Sequence, residues 1–416
     1  MRFPFLKLPL PVRAALLFFL VTFLGSSALA AGLKDLFAAA DTLSPAMTEA
    51  RLDLARARAE YQAARGMPNP KLFASRETVS DGPLDETEQT FGIQQSLGYL
   101  WSYAPKRAAA LRTYESALTA YDEARRQLLV EMTDRALTAL ALRQQVTLVD
   151  TVMFHATHAV QSMGARFRLG DVSEYDLHRL QAELLRLHQQ RLSLLAEQQQ
   201  AGNDFTRLSG LPESWLSQLT VPEPASITLT SEDQAVETAL QHRPLLKARA
   251  ASQAAGEQAY RASKWNQLPD IAVGIGRKTV DPGFQGVALE AEIELPLFTQ
   301  RRYERNLART VRDESEIQLR AARLQIEQEV RGTYRRWLEL RDRTPSIAPF
   351  NAEQARLDLS RGVLMYLHGE LSPVEVVDIL RSTLESFEAY QQLTNSRLLT
   401  EIELRRVTGL PLLENH

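Results

Sequence analysis

The sequence has no cysteine among its 416 residues. This absence excludes disulfides, thiolate metal sites and a cysteine nucleophile. It also excludes an N-terminal cysteine that would carry a lipid anchor. No strong charge of either sign is present, since 48 Lys and Arg residues stand against 51 Asp and Glu residues. Nucleic-acid-binding proteins usually carry clustered positive charge, so we expect no nucleic-acid partner.

Long apolar runs are missing after the N-terminus. In the N-terminal segment itself, Arg2, Lys7 and Arg13 accompany an apolar stretch over 14–24, and a small-x-small motif ends at Ala30. This pattern is typical of a secretory signal peptide, which we assign to 1–30 with cleavage near Ala30. An uncleaved membrane anchor is the alternative, although the stretch is shorter than the ~20 residues of a spanning helix. We therefore expect an exported chain without a transmembrane helix.

Catalytic motifs are also missing. Nothing resembles a phosphate-binding loop, a nucleophile elbow or a zinc-protease helix. His155 and His158 have a spacing that places both on one helix face, but most metal sites need three or four ligands. Two exposed helix histidines are the simpler interpretation. The sequence predicts a protein that is not an enzyme and needs no cofactor or resident metal.

What is present is an internal repeat with an offset of 199 residues. Shifted by that amount, four kinds of marker coincide: Pro70 with Pro269, Gly170 with Gly369, Ser173 with Ser372, and Gly210-Leu211-Pro212 with Gly409-Leu410-Pro411. Solenoid repeats are only ~20 to 50 residues long. The offset therefore predicts two copies of one architecture.

Each copy is predicted to contain a helix, a β-hairpin, a long helix, a tip turn and a last helix. The first repeat, 31–211, is assigned a hairpin at 70–98, a long helix at 105–168, a tip turn at 168–173 and a helix at 173–208. A proline-rich linker, 212–230, follows. The second repeat, 231–416, is assigned a hairpin at 269–296, a long helix at 300–364, a tip turn at 366–372 and a helix at 372–408. Prolines at 345 and 349 predict a kink in that long helix.

The hairpins have the alternation and length of membrane-spanning strands. In the last strand, apolar residues alternate with Glu290, Glu292 and Glu294. The strands have the ~9 to 11 residues that cross a bilayer as tilted β-structure. Aromatic residues flank them, as at the membrane interfaces of β-barrels: Tyr99, Trp101, Tyr103, Trp265 and Phe298.

A soluble amphipathic hairpin is the alternative for each pair of strands. In a bilayer, however, no strand edge is left unpaired, so the sheet must close. Four strands are too few to close a barrel, because known single-chain barrels begin at about eight strands. If these hairpins span a membrane, several protomers must share one barrel.

Two turn motifs carry a family resemblance. One is Arg-Leu-Gly-Asp-Val-Ser-Glu-Tyr-Asp-Leu at 168–177, and the other runs from Met365 to Asp378. With the duplicated layout, they resemble the helix–turn–helix tips of the TolC-type outer membrane factor family. The resemblance implies a mainly α fold with β: a homotrimer whose transmembrane β-barrel of 12 strands is continuous with a periplasmic α-barrel of 12 helices. The implied partners are a periplasmic adaptor (membrane fusion protein), an inner-membrane RND-type pump and outer membrane lipid.

The resemblance also implies roles for particular residues. Glu375 and Asp378 match the family's acidic constriction, and Asp176 and Tyr366 match residues that hold the tips closed. We expect an Asp176–Tyr366 hydrogen bond in the resting state. Where the family has a gate arginine, this sequence has Leu371. The glycines and serines of the repeat markers are expected to form the tip turns and adaptor docking sites: Gly170, Ser173, Gly369 and Ser372. Glu290, Glu292 and Glu294 are expected to face the barrel lumen.

The expected function is therefore an outer membrane channel of a tripartite efflux system, a passive duct for small substrates such as metal cations or drugs. The chain is short and has no lipid-anchor cysteine, and in this it is similar to the ducts of heavy-metal (cobalt–zinc–cadmium type) RND pumps. A type I secretion exit duct and a soluble periplasmic coiled-coil scaffold or adaptor are the alternatives.

Overall fold

A computed structural model describes residues 31–81, 84–217, 219–220, 227, 229–281, 283–294, 302–343 and 352–412. The predicted signal peptide, Phe298 and the two prolines expected to kink a helix lie outside these ranges. Within them the chain is mainly helical with one antiparallel sheet, as predicted.

The first repeat contains four helices and three strands. In chain order they are β1 (Ala31–Gly32), α1 (Leu33–Leu43), α2 (Pro45–Ala63), β2 (Lys71–Asp81), β3 (Leu84–Ser96), α3 (Tyr99–Arg168) and α4 (Glu174–Ser209). The long helix α3 begins six residues before the predicted start. Pro105 lies inside it, where the ring nitrogen cannot donate the usual helical hydrogen bond, yet the helix continues.

The second repeat follows the same order. A 3₁₀ helix (Glu213–Ser217) and β4 (Leu219–Thr220) precede α5 (Glu232–His242), α6 (Pro244–Trp265), β5 (Asp270–Val280), β6 (Phe284–Glu294), α7 (Arg302–Arg343), α8 (Ala352–Leu367) and α9 (Pro373–Thr408). Within the segment predicted to be a linker, β4 pairs in parallel with β1.

The repeat is also visible at two helix junctions that the sequence markers missed. Ser44 ends α1 and precedes Pro45, and Arg243, at an offset of 199, ends α5 and precedes Pro244. The two junction residues have nearly the same backbone, with φ and ψ of −61° and 131° for Ser44 and −64° and 126° for Arg243. The residue before a proline is driven out of the helical region, so each proline ends one helix and begins the next.

Strands β2, β3, β5 and β6 form one antiparallel sheet in that order. One register row contains only large apolar side chains, because Leu72 pairs with Ile93, Ile93 with Ile275, and Ile275 with Leu289. These four side chains are between 50% and 80% exposed. The sheet therefore presents an apolar face that no residue within the described ranges covers.

The chain forms two units. The first contains residues 131–225 and 347–398 with the N-terminal segment to 45, and its core joins buried residues of α3, α4, α8 and α9. The second contains 46–130, 226–346 and 399–416, and its core includes Val330, Trp337 and Leu404. No helix in the described ranges combines the length and the hydropathy needed to cross a membrane.

Candidate functional site: the two tip turns

The first tip turn joins α3 to α4 in the first unit. Gly170 has a φ of 81°, the left-handed conformation that glycine tolerates best. Its N–H donates to the Phe167 carbonyl at 3.0 Å, which satisfies an end of α3. Ser173 then caps α4, since its Oγ accepts from the Asp176 N–H at 3.1 Å. The Ser173 hydroxyl in turn donates to the Asp176 carboxylate at 2.7 Å.

The second tip turn, between α8 and α9, repeats this backbone. Gly369 has a φ of 80°, and its N–H donates to the Tyr366 carbonyl at 2.9 Å. Ser372 accepts from the Glu375 N–H at 3.3 Å, and the Ser372 N–H donates to Glu375 Oε2 at 2.6 Å. These reciprocal bonds form a capping box. The hydrogen bonds from Ser372, backbone first, lower the pKa of Glu375.

The predicted constriction residues are placed on one side of α9. Glu375 and Asp378 are three residues apart, and both are exposed. Glu375 has a local role as well, because its carboxylate caps the helix. The capping function alone explains an acid at this position, whereas it does not explain Asp378.

The prediction of a hydrogen bond between Asp176 and Tyr366 is wrong. Tyr366 is 1% exposed, and its hydroxyl has no hydrogen-bond partner among the described residues. Burial raises the pKa of that hydroxyl. The Asp176 carboxylate is instead directed to Ser173, because a helix cap three residues away is the nearer donor. Leu371, at the position of the family arginine, packs against the core beside Tyr366, so apolar burial holds this tip.

A buried ion pair behind the tips was not predicted. Glu183 of α4 has a side chain only 2% exposed and accepts from Arg186 at 2.7 Å and from Arg381 of α9 at 2.5 Å. Burial alone would raise the pKa of Glu183, but the hydrogen bonds from both arginines outweigh it, and the pKa is lowered. This pair joins the last helices of the two repeats. No spacing in the sequence indicates it, because its partners are 198 residues apart.

The acids of β6 lie on the polar face of the sheet, opposite the apolar row. Glu290 pairs in register with Gly274, and Glu292 accepts from Gln94 at 2.7 Å. Lys71 belongs to the same face, since it pairs with Gln94, which pairs with Gly274. The acids Glu290, Glu292 and Glu294 are exposed there.

The predicted interface aromatics lie where the sheet meets the helices. Tyr99, Trp101 and Tyr103 occupy the first turns of α3, and Trp265 ends α6. Tyr99 and Tyr103 contact each other edge to face, with ring centroids 6.2 Å apart. Tyr103 also donates to the Arg65 carbonyl at 3.0 Å.

The histidine pair on α3 packs against an aromatic ring. The centroid of Phe154 lies 4.5 Å from that of His158 and 5.5 Å from that of His155. Burial, then the neighbouring His158, lowers the pKa of His155. Among the residues with described positions, no group of three or more acids and histidines is arranged to hold a metal ion.

Comparison with known proteins finds one family model and several solved structures that resemble this chain. Residues 235–410 match the family model "Outer membrane efflux protein". No curated protein sequence matches the chain. The likeness to solved structures, by contrast, extends over almost the whole chain.

Three of these structures illustrate the likeness. A membrane protein from Pseudomonas aeruginosa is 18% identical, with 92% of this chain and 91% of that chain covered and a TM-score of 0.74. The Campylobacter jejuni CmeC outer membrane channel is 13% identical, with 91% and 85% covered and a TM-score of 0.73. The open state of the Neisseria gonorrhoeae MtrE outer membrane channel is 17% identical, with 93% of both chains covered and a TM-score of 0.69. At these identities the likeness shows a shared fold.

Proposed function

We propose that the chain is the outer membrane channel of a tripartite efflux system, a passive duct that carries small substrates across the periplasm and the outer membrane. The observation that carries this proposal is the four-stranded sheet. Its apolar face is exposed along a complete register row, and its strands have the length of membrane-spanning β-structure. The family match of 235–410 and the shared fold support it.

Three copies share one barrel in this proposal. Strands β2 and β6 are the two ends of the sheet, and a bilayer supplies no partner for their unpaired backbone groups. Pairing β6 of one copy with β2 of the next closes a ring without edges. Three copies give 12 strands, an even number within the known range of barrels. The polar face with Glu290, Glu292 and Glu294 then lines the lumen.

The tip turns form the periplasmic entrance. In a trimer, Glu375 and Asp378 contribute six carboxylates to one ring, which concentrates cations and repels anions. Tyr366 stabilises the entrance by burial. The paired turns around Gly170 and Gly369 expose backbone without side chains, which suits docking of adaptor helices that connect the duct to an inner-membrane RND-type pump.

The proposed ring of carboxylates indicates the charge of the substrates that the duct carries. An acidic entrance favours cationic cargo, so we place metal cations and cationic drugs ahead of anions. The heavy-metal branch of RND efflux remains our proposal on this basis. A type I secretion exit duct is the second candidate, and the same tip geometry would serve it.

Paired lysine substitutions on opposite faces of β6 test the membrane assignment. Leu289→Lys places a charge on the apolar face, where it costs about 2–4 kcal/mol at the bilayer centre. We expect strongly reduced recovery from the outer membrane fraction. The neighbouring Glu290→Lys faces the lumen, so its recovery should be normal while its ion selectivity in a planar bilayer changes. Equal recovery of both variants, or recovery of the unmodified protein as a soluble periplasmic species, would contradict the proposal.

The entrance ring has its own test. Glu375→Gln combined with Asp378→Asn should reduce the preference for cations over anions in planar-bilayer recordings, because six charges are removed from the entrance. The control is Glu388→Gln, which removes one acid per chain farther along α9. An unchanged ion preference in the double variant would contradict the proposed acidic ring but not the proposed duct.

A further inference from the structure

The segments that join helices to strands in the second unit meet at one end of the sheet. Lys71 begins β2 and pairs with Gln94 near the end of β3, and Asp270 begins β5 and pairs with Glu294 at the end of β6. Because neighbouring strands run antiparallel, α2, α3, α6 and α7 all adjoin this end of the sheet. We name this level of the protein the collar and define it by four segments: 61–71, 97–112, 260–269 and 302–309.

The collar is strongly basic, although the chain as a whole is not. Its four segments contain ten arginine and lysine residues and one acid, Glu304, whereas the full chain has slightly more acids than bases. The aromatic residues of the collar are five tyrosines and two tryptophans. Tyrosine and tryptophan concentrate at membrane interfaces, and clustered cations are attracted to anionic lipid headgroups. The composition of the collar is therefore that of a surface in contact with an anionic membrane interface.

One part of the collar occurs in both repeats. The offset of 199 residues relates Tyr61 to Tyr260 and Arg65 to Lys264, and each of these cations lies six residues before the first residue of a strand. The guanidinium of Arg65 lies 6.0 Å from the centroid of the Tyr61 ring, and the ammonium of Lys264 lies 4.4 Å from that of Tyr260. The face of an aromatic ring attracts a cation at these distances. Each tyrosine therefore holds a cation at the same place in its repeat.

The cations nearest the sheet have no acid beside them. Arg65, Arg107 and Lys264 are exposed, and none of them has a carboxylate partner among the residues with described positions. The collar cations one or two turns farther from the sheet instead pair with acids of their own helices: Arg112 with Glu115, Arg261 with Glu257, and Arg309 with Asp313. The positive charge at the end of the sheet is thus available to a partner outside the described chain.

Each of these three cations accompanies an exposed apolar side chain. The pairs are Arg65 with Met67, Lys264 with Trp265, and Arg107 with Leu100, which lies two turns earlier on the same side of α3. A cation and an apolar group at one level fit the boundary between lipid headgroups and acyl chains, because the apolar group enters the hydrocarbon while the charge stays outside it.

We propose that the collar binds the phosphate groups of anionic phospholipids, with Arg65 and Lys264 as equivalent sites in the two repeats. Arg107 belongs to the same surface, because α3 packs between α2 and α6. The site rests on the proposed function, since the collar lies at a membrane boundary only if the sheet spans the bilayer. A phospholipid fits better than an acidic peptide, because its acyl chains also cover the exposed apolar row that includes Leu72 and Leu289.

Lipid selectivity in native mass spectrometry tests the collar. The full-length protein, extracted from the outer membrane in detergent, is mixed with equal amounts of phosphatidylglycerol and phosphatidylcholine. We expect the natural protein to retain phosphatidylglycerol preferentially. The triple variant Arg65→Gln, Arg107→Gln, Lys264→Gln should lower this preference at least about tenfold, because each cation near an anionic lipid surface contributes roughly fivefold. The single substitutions give the same readout, with a smaller loss of roughly fivefold each.

Two matched variants separate the site from a general effect of charge or folding. Arg112→Gln, Arg261→Gln, Arg309→Gln removes the same charge farther from the sheet, where each arginine already has an acid partner, and should keep the lipid preference. Arg65→Lys, Arg107→Lys, Lys264→Arg keeps the charge of the collar and should also keep the preference.

The outcomes distinguish the collar from the duct. Equal retention of both lipids by the natural protein, or an equal loss of preference in the two triple glutamine variants, would contradict the lipid site but not the proposed duct. A loss of preference in the charge-conserving variant would also contradict the site. A natural protein that is recovered from the soluble periplasm and retains neither lipid would contradict both proposals.

Discussion

The two helix junctions of the repeat have nearly the same backbone conformation but different buried side chains. At the first, Ser44 is fully buried and its hydroxyl donates to the Leu208 carbonyl at 2.9 Å. At the second, the buried Arg243 donates to Glu329 at 2.6 Å and to Glu123 at 3.2 Å. Arg406 of α9 binds the same two carboxylates. The proline and glycine positions thus fix the path of the chain, while the buried side chain is free to diverge.

The two tip turns give the same lesson on a smaller scale. Both have a glycine near φ 80° and a serine cap, but only at the second tip does the carboxylate, that of Glu375, accept from the serine N–H. Asp176, one methylene shorter, accepts from the serine hydroxyl. Repeat two therefore has the charged junction, and its tip carboxylate accepts from a backbone N–H instead of a hydroxyl.

The largest effect is expected at the second junction. Arg243→Met leaves the buried Glu123 and the partly buried Glu329 with Arg406 as the ion-pair partner that they share, and breaking a buried ion pair in this way costs about 3–5 kcal/mol. The equivalent Ser44→Ala removes the hydrogen bond to the Leu208 carbonyl, for a loss of about 1 kcal/mol. Denaturant unfolding of the purified protein measures both. Equal losses would show that the two junctions are energetically alike.

A smaller loss is expected for Glu183→Gln. Glu183 is buried and accepts from two arginines, and hydrogen bonds to a charged group contribute about 1.5–3 kcal/mol. Position 382, its repeat equivalent, is the exposed Ser382, so Ser382→Ala should be nearly neutral. A loss of the same size for Ser382→Ala would contradict this asymmetry.

The stability difference between the natural protein and Glu183→Gln should change with pH, and the pKa of Glu183 gives the direction of that change. The folded pKa of Glu183 is below its ordinary value of 4.5. Its contribution is therefore complete above about pH 4.5 and is lost as the pH falls through the lowered folded value. The stability gap between the natural protein and Glu183→Gln should narrow on acidification. A gap that widens at low pH would contradict the shift.

The next largest losses of stability are expected for substitutions of the glycines that follow the last helix of each repeat. Gly210 and Gly409 have φ near 75°, and an added Cβ would lie 2.5 Å from the Leu43 carbonyl oxygen and 2.8 Å from the His242 carbonyl carbon. We expect Ala at either position to cost about 1–3 kcal/mol. Gly170→Ala at the first tip has a similar φ but free space, so it should cost less. Thermal unfolding midpoints rank the three, and a larger loss for Gly170→Ala would contradict the role of the close approach.

The smallest effect is expected for Tyr366→Phe. The buried hydroxyl has no hydrogen-bond partner among the described residues, so its removal should leave stability unchanged or slightly increased. Tyr366→Ala is the contrasting variant, because it opens a cavity and should cost about 3–5 kcal/mol. A marked loss in Tyr366→Phe would show that the hydroxyl is bound in the assembled protein.

The sequence predicted what depends on local signals. The alternation over 271–276 falls in β5, and the part of the second alternation from 287 to Glu294 falls in β6. The glycine and serine of each tip have the conformations that their residue types favour. The starts of helices were less predictable, since Pro105 indicated a start that the structure places at Tyr99. The repeat marker Pro45 with Pro244 was present in the sequence and would have located both junctions.

Contacts between residues that are far apart in the sequence could not be predicted from local sequence patterns. The carboxylate of Glu123 meets Arg243 and Arg406, which are 120 and 283 residues away, and no periodicity encodes such a meeting. The expected Asp176–Tyr366 hydrogen bond failed for a related reason. Sequence position placed both residues near the tips, but the serine cap competes for the aspartate and the tyrosine ring is buried.

The most direct test of the duct is single-particle imaging of the full-length protein in lipid nanodiscs. We predict three copies around one axis, with β6 of each copy paired to β2 of the next in a closed barrel of 12 strands. The apolar row that includes Leu289 should face the lipid. A monomer, a sheet edge covered by a different element, or an apolar row turned inward would contradict the central claim.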